Sequence, residues 1–195
     1  MEMHGLEKTV LKSAVWRLLA TKLVLPWVLS VGVRPATDVL EIGTGAGFNA
    51  EALLKRFDHW RLVATDFDPE MVELSQRRLS RFGSSVSVQT ADATSLPFGD
   101  NSFDLVISVL VWHHVGDWRK ATREAARVLR PSGNLLIADI YGHHSVGPLS
   151  RVLADLPPYG KEDLLSALTE AGFQNGHLRQ FGKVGYSVIA SRKVS

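Results

Sequence analysis

Residues 39–50 read Val-Leu-Glu-Ile-Gly-Thr-Gly-Ala-Gly-Phe-Asn-Ala, and this stretch decides the fold. A short apolar run carrying one acid, Glu41, reads as a buried strand. It runs into glycines at alternate positions, Gly43, Gly45 and Gly47, and then into a helical pattern beginning at Phe48. Glycine lets the backbone turn tightly and approach a ligand with no Cβ in the way, and the helix that follows adds the positive end of its dipole. Such a strand-loop-helix unit is built to bind a nucleotide-like ligand edge-on. The dinucleotide fingerprint, however, is G-x-G-x-x-G/A, and its third glycine position here holds Phe48, so a nicotinamide dinucleotide fits poorly.

Working outward, a second strand over 60–65 ends in Asp66, which lies 23 residues beyond Gly43, close to the spacing at which doubly wound folds place a ribose-binding acid. A third strand over 86–91 ends in Asp92. Carboxylates at the carboxyl ends of neighbouring parallel strands converge on one crevice, which is where open α/β sheets hold ligands. Glu41, Asp66 and Asp92 are therefore read together as a candidate binding set.

Short apolar runs alternate with helical patterns along the rest of the chain, which predicts βαβ units and a parallel sheet. Strands are expected over 38–42, 103–110, 134–139, 174–181 and 184–191, with the apolar 103–110 run central in the sheet. Helices are expected over 48–56, from Asp68 with Pro69 at its first position to about Arg81, from Asp117 to before Pro131, and over 161–171 with Gly172 as stop. The expected architecture is a Rossmann-like, doubly wound sheet of seven strands. It is mostly parallel, with the last strand antiparallel.

The ordered segments Val39-Leu-Glu-Ile-Gly-Thr-Gly-Ala-Gly, Ala64-Thr-Asp-Phe-Asp-Pro-Glu-Met, Asp92-Ala-Thr-Ser-Leu-Pro-Phe-Gly-Asp-Asn-Ser-Phe-Asp and Arg127-Val-Leu-Arg-Pro-Ser-Gly resemble the class I S-adenosylmethionine-dependent methyltransferases. The resemblance spans residues 37–192 and is greatest to the small-molecule branch that includes the ubiquinone and menaquinone biosynthesis C-methyltransferases. It implies that S-adenosyl-L-methionine is the cofactor and S-adenosyl-L-homocysteine the product. It further implies that Glu41 and the glycine loop hold the methionine end, Asp66 the ribose hydroxyls, and Asp92 with the Ala93 backbone the adenine; Thr44, Phe67 and Ser108 complete the implied cofactor-binding set. The chain departs from the family at Ser132, where glycine is usual before Gly133, in a turn expected to lie far from the ligand.

Methyl transfer from a sulfonium needs in-line alignment, exclusion of water and, where the nucleophile carries a proton, a base. A base belongs just past the fourth or fifth strand. His113 and His114 follow the fourth and are the candidate catalytic residues; the alternative is that they contact backbone and shape the pocket. Tyr141, His143 and His144 follow the fifth. Trp16, Trp112, Tyr141 and His143 are candidates to line an apolar substrate pocket. The two histidine pairs lack a third fixed ligand or an H-E-x-x-H spacing, so no metal is expected. Leu156-Pro157-Pro158-Tyr159 has the look of an amino-methyltransferase motif, but its leading acid or amide is replaced by Leu156 and it lies after the fifth strand; the fourth strand ends instead in Ser108-Val109-Leu110-Val111-Trp112-His113-His114, which argues against N-methylation of a base.

With 195 residues, 45% apolar and 22% charged, the chain suits one domain with a substantial core. A net charge of +2 with dispersed basic residues implies no nucleic-acid partner. The absence of cysteine excludes a disulfide or a thiolate zinc site and suits the cytoplasm. At the amino terminus, residues 15–33 are mostly apolar, but Arg17, Lys22 and Pro26 interrupt them, and the 11 charge-free residues from Leu23 to Val33 are too few to cross a bilayer. Two helices over 6–24 and 26–32 are expected to form an N-terminal cap, residues 1–35, on a catalytic domain of residues 36–195. A peripheral membrane contact through Trp16 and Trp27 is the alternative use of that cap. The expected function is methylation of a small, apolar or aromatic molecule; a non-catalytic cofactor-binding sensor or scaffold and an aminopropyl transferase are the alternatives.

Overall fold

A computed structural model describes residues 25–29, 35–140, 160–181 and 185–194. The elements run α1 (Leu25–Leu29), β1 (Asp38–Ile42), α2 (Phe48–Arg56), β2 (Arg61–Asp66), α3 (Pro69–Leu79), β3 (Val86–Thr90), β4 (Phe103–Val109), α4 (Trp118–Val128), β5 (Leu129–Ile140), α5 (Lys161–Glu170), β6 (Phe173–Phe181) and β7 (Gly185–Arg192). They form a seven-stranded sheet in the order β3-β2-β1-β4-β5-β7-β6. All pairings are parallel except those of β7, which is antiparallel to both β5 and β6. The expected architecture is borne out, including the direction of the last strand.

β4 is buried along nearly its whole length because it sits between β1 and β5 with a core on each face. Val106 joins Leu40, Ile42, Leu135 and Ile137 in one cluster, covered by Ala121 and Ala125 of α4. Leu105, Ile107 and Val109 join Val39, Leu62, Leu136 and Leu53 in the other. The side-chain period of two thus divides one apolar run between two cores. Leu25 of α1 is buried in the second cluster, so this part of the expected cap is fixed to the domain. The remaining cap positions, 1–24 and 30–34, lie outside the described residues.

The helix boundaries follow their caps. Asp68 accepts from the Glu70 N–H at 2.9 Å and Pro69 occupies the first turn of α3, while Asp117 accepts from the Lys120 N–H at 2.9 Å to start α4. α3 ends at Leu79, earlier than expected, where a 3-10 segment (Ser80–Ser85) takes over. α5 stops at Gly172, which has a φ of +88°.

β5 begins at Leu129, five residues before the sequence-based expectation, because the register with β4 is interrupted after Phe103 pairs with Leu129 and resumes where Leu105 pairs with Asn134. The extra residues form an irregularity that includes Pro131 and puts Ser132 at a φ of +64°. This left-handed conformation costs an L-residue roughly 1–2 kcal/mol, which glycine avoids at a smaller cost in unfolded-state entropy. Ser132→Gly is therefore expected to stabilise the protein by about 0.5–1 kcal/mol. Thermal unfolding tests this, and a lower melting temperature than the parent contradicts it.

Candidate cofactor and methyl-transfer site

The strand order reverses between β1 and β4, and at the carboxyl ends of these strands a cavity of about 430 Å³ opens. Its volume is that of a small-molecule site. The glycine loop lies on one side, the turns after β2 and β3 on a second, and the segment after β4 on the third.

Within the loop, Gly43, Gly45 and Gly47 all have positive φ. Their reasons for being glycine differ. A Cβ on Gly43 would lie 2.2 Å from Val111 Cγ2, so its bareness serves packing against the segment after β4. A Cβ on Gly45 meets nothing within 4 Å, so this residue leaves the cavity open for a ligand. Four of the loop's donors are spent inside the protein: Gly43 and Thr44 N–H both go to Thr65 O at 2.8 Å, Gly45 N–H to Asp66 Oδ2 at 2.7 Å, and Gly47 N–H to Thr44 O at 3.0 Å. A pyrophosphate cradle needs those donors. Their commitment leaves fewer donors for a pyrophosphate, in the same direction as the reading at Phe48.

The expected acids are differently placed. Asp66 lines the cavity; its Oδ2 accepts from Gly45 and its Oδ1 from the Asp68 N–H at 3.0 Å. Burial lifts its carboxyl above the usual range, with those N–H bonds pulling the other way. Asp92 also lines the cavity and accepts from the Thr94 N–H at 2.8 Å, with Ala93 beside it. Glu41 does not line the cavity. It is buried beneath the loop, where Thr44 Oγ1 donates to its Oε2 at 2.7 Å, and burial pushes its pKa up to about 7, opposed by the Thr44 hydroxyl and reinforced by the nearby charge of Asp66. Phe67, 53% exposed, is an apolar ring at the cavity wall beside Asp66, placed as a flat ligand face requires.

Beyond β4 the chain reverses at Leu110, which holds a φ of +60° while its N–H donates to Ala138 O at 2.7 Å. This bulky left-handed residue lines the cavity, a place where backbone strain is commonly stored. The reversal drops Val111 onto Gly43 and starts a 3-10 turn (Trp112–His114) whose side chains diverge. Trp112 is fully buried and its Nε1 donates to Thr122 Oγ1 at 3.2 Å; it belongs to the core under α4 and does not line the pocket, contrary to expectation. His113 is also buried. Its Nδ1 lies 2.5 Å from Asp139 Oδ1 and its backbone N–H 3.1 Å from Asp139 Oδ2, so it faces β5 and is not among the residues lining the cavity. A carboxylate only accepts, which puts the ring proton on Nδ1. His114 lines the cavity, with its ring centroid 3.9 Å from that of His113.

Ser108 is likewise below the cavity floor, its hydroxyl donating to Ile42 O at 3.2 Å and tying β4 to β1. Trp16, Tyr141, His143 and His144 lie outside the described residues. Sequence reasoning missed Asp139. Its only signal was that β5, like β1 to β3, runs to an acid near its carboxyl end. Among the described residues there is no cluster able to hold a metal ion, and no helix is long and apolar enough to cross a membrane.

Known proteins share this geometry. Residues 40–137 match the methyltransferase domain family. The chain is 40% identical over 109 residues to the uncharacterized methyltransferase YcgJ of Bacillus subtilis, covering 55% of this chain and 42% of that protein. It is 32% identical over 126 residues to the demethylmenaquinone methyltransferase of Renibacterium salmoninarum, covering 65% of this chain and 50% of the other. It thus spans about half the length of these curated relatives. A SAM-dependent methyltransferase of Aquifex aeolicus has the same fold, with a TM-score of 0.77 at 23% identity over 97% of this chain and 99% of that one. The protein belongs to the class I S-adenosylmethionine-dependent methyltransferases. The residues present fit that family's cofactor: Gly45 leaves the cavity open, and Asp66 and Asp92 offer carboxylates to hydroxyl and amino groups.

Proposed function

We propose that the protein transfers a methyl group from S-adenosylmethionine to a small apolar or aromatic molecule. The observation that carries this reading is the juxtaposition, around one cavity, of the Gly45–Asp66–Asp92 side with an apolar wall of Val109, Leu110, Val111 and Val115 that ends in His114. The bound cofactor supplies a methyl group already activated by the positive charge on sulfur. Asp66 holds the ribose hydroxyls and Phe67 covers the adenine face, with Asp92 and Ala93 at its edge. Glu41 acts on the methionine end from beneath the loop, through its charge and its bond to Thr44. The apolar wall excludes water and seats the acceptor. His114 is the group placed to take a proton from a hydroxyl or amine nucleophile, and the Asp139–His113 pair behind it fixes the position of its ring.

Asp66→Ala is expected to weaken S-adenosylmethionine binding by about 1.5–3 kcal/mol for each charge-assisted hydrogen bond lost. Calorimetry reads this directly, and unchanged affinity contradicts the assigned role.

The functional experiment is single turnover of methyl-labelled S-adenosylmethionine against a panel of phenols, naphthols, quinols and hydrophobic amines. Label leaving the cofactor for a panel member supports the enzyme reading. Tight cofactor binding with no transfer to any of them favours the sensor reading.

A further inference from the structure

The glycine loop carries three left-handed residues in five positions, and chain with that much conformational freedom keeps one shape only if it is held from outside. Three of its N–H groups, those of Gly43, Thr44 and Gly45, are held by Thr65 O and Asp66. A side chain of α3 holds the opposite edge. Arg78 Nε donates to Ala46 O at 2.7 Å, and its guanidinium carbon stands 3.7 Å from the ring centroid of Phe48. Its Nη1 lies 3.4 Å from Glu51 Oε2. Ala46 and Phe48 both line the cavity, and Glu51 belongs to the helix that the loop starts. One planar cation thus grips the carbonyl between Gly45 and Gly47, the first helical ring and a carboxylate one turn further on. α3 also closes on the loop at Gly47, where a Cβ would meet Ser75 Oγ at 2.7 Å.

From this geometry we infer that Arg78 is a positioning residue for cofactor binding: acting through Ala46 and Phe48, it presets the glycine loop in the shape that receives the methionine end. The inference rests on the proposed cofactor reading. Arg78 itself touches no ligand; it is absent from the residues around the cavity. Lysine keeps the charge but not the plane, so a single ammonium cannot reproduce the Nε bond to Ala46, the Nη1 contact with Glu51 and the stacking on Phe48 together.

Arg81 supplies the internal control. It also bonds to Glu51, but its guanidinium lies 5.1 Å from the centroid of Phe82, and it does not line the cavity. Losing either arginine removes one positive charge and one partner of Glu51, while only Arg78 holds the loop. The test is calorimetric titration with S-adenosylmethionine of the parent, Arg78→Met, Arg78→Lys and Arg81→Met. It is run well below each melting temperature and paired with hydrogen exchange of the Gly45 and Gly47 amides. Arg78→Met is expected to raise Kd about tenfold and to speed exchange in the loop while amides of β4 stay protected; Arg78→Lys falls between it and the parent, and Arg81→Met binds as the parent does. Parental affinity in Arg78→Met, or equal weakening in Arg81→Met, overturns the inference. If Arg78→Met does not fold, the comparison of Arg78→Lys with Arg81→Met gives the same decision. Failure of the parent to bind defeats the cofactor reading itself, a result distinct from either.

Discussion

His113→Ala is expected to destabilise the protein by about 3 kcal/mol or more, whereas His114→Ala, at the next residue along the chain, is expected to cost little stability and to act on the reaction. The difference follows from where each ring lies. Asp139 is buried to 2% exposure, and His113 gives it both a ring donor and a backbone N–H. Removing one partner of a buried pair leaves the other charge poorly compensated, a change that typically costs about 3–5 kcal/mol. The retained backbone N–H, together with the further contact that Asp139 makes, puts this case at the lower end. His114 is half-buried at the cavity wall, and a general base of its kind contributes roughly 10²–10⁴-fold to a proton-requiring step. Denaturant unfolding of both variants, beside single-turnover rates with the best acceptor of the panel, measures both effects. A His113→Ala protein as stable as the parent contradicts the account of the Asp139 pair. A His114→Ala protein that loses cofactor affinity as much as rate assigns that residue to pocket shape instead of proton removal.

Glu41→Gln is the second large effect, and its sign depends on pH. The folded protein holds Glu41 at a pKa of about 7 against an ordinary value of 4.5, chiefly through burial. A carboxyl whose folded pKa is raised leaves stability intact below its unfolded pKa and takes stability away as pH rises through the folded pKa. The penalty therefore develops between about pH 4.5 and pH 7 and reaches roughly 3 kcal/mol above that window. Glutamine cannot ionise and still accepts from Thr44. In the absence of cofactor, Glu41→Gln is thus expected to match the parent near pH 5 and to exceed it in stability by up to about 3 kcal/mol at pH 8. Cofactor binding brings positive charge toward the site and favours the ionised form. At pH 7 the parent is expected to release protons on binding S-adenosylmethionine, while Glu41→Gln binds more weakly and with less proton release. Calorimetry in buffers of different ionisation enthalpy reads this. Equal destabilisation of the variant at pH 5 and pH 8 contradicts the account.

The sequence carried the sheet because each strand's pattern agreed with its neighbours on both faces. Val39, Leu40 and Ile42, and Leu105, Val106 and Ile107, alternate between two cores as period-two chains must. The helix starts at Asp68 and Asp117 were legible because a short acidic side chain before a helical pattern has one favoured use. Beyond the glycine loop, legibility falls wherever a turn decides the direction of a side chain. Trp112, His113 and His114 are consecutive, and only the left-handed reversal at Leu110 and the 3-10 turn after it send one to the core, one to Asp139 and one to the cavity. The pairing of His113 with Asp139 spans 26 residues and two strands, a distance over which no local pattern informs. Glu41 was identified by position, but its separation from the cavity by Thr44 was not foreseeable, because a strand-end acid reads the same whether it faces ligand or loop. The irregular entry to β5 was hidden for a similar reason: Pro131-Ser132-Gly133 reads as a turn, while the backbone there remains beside β4.

The most direct test of the central claim is calorimetric titration of the purified protein with S-adenosylmethionine, in parallel with NAD and decarboxylated S-adenosylmethionine. Micromolar binding of S-adenosylmethionine is expected, with no binding of NAD and markedly weaker binding of the decarboxylated analogue. Absence of S-adenosylmethionine binding, or preference for either of the other two, would contradict it.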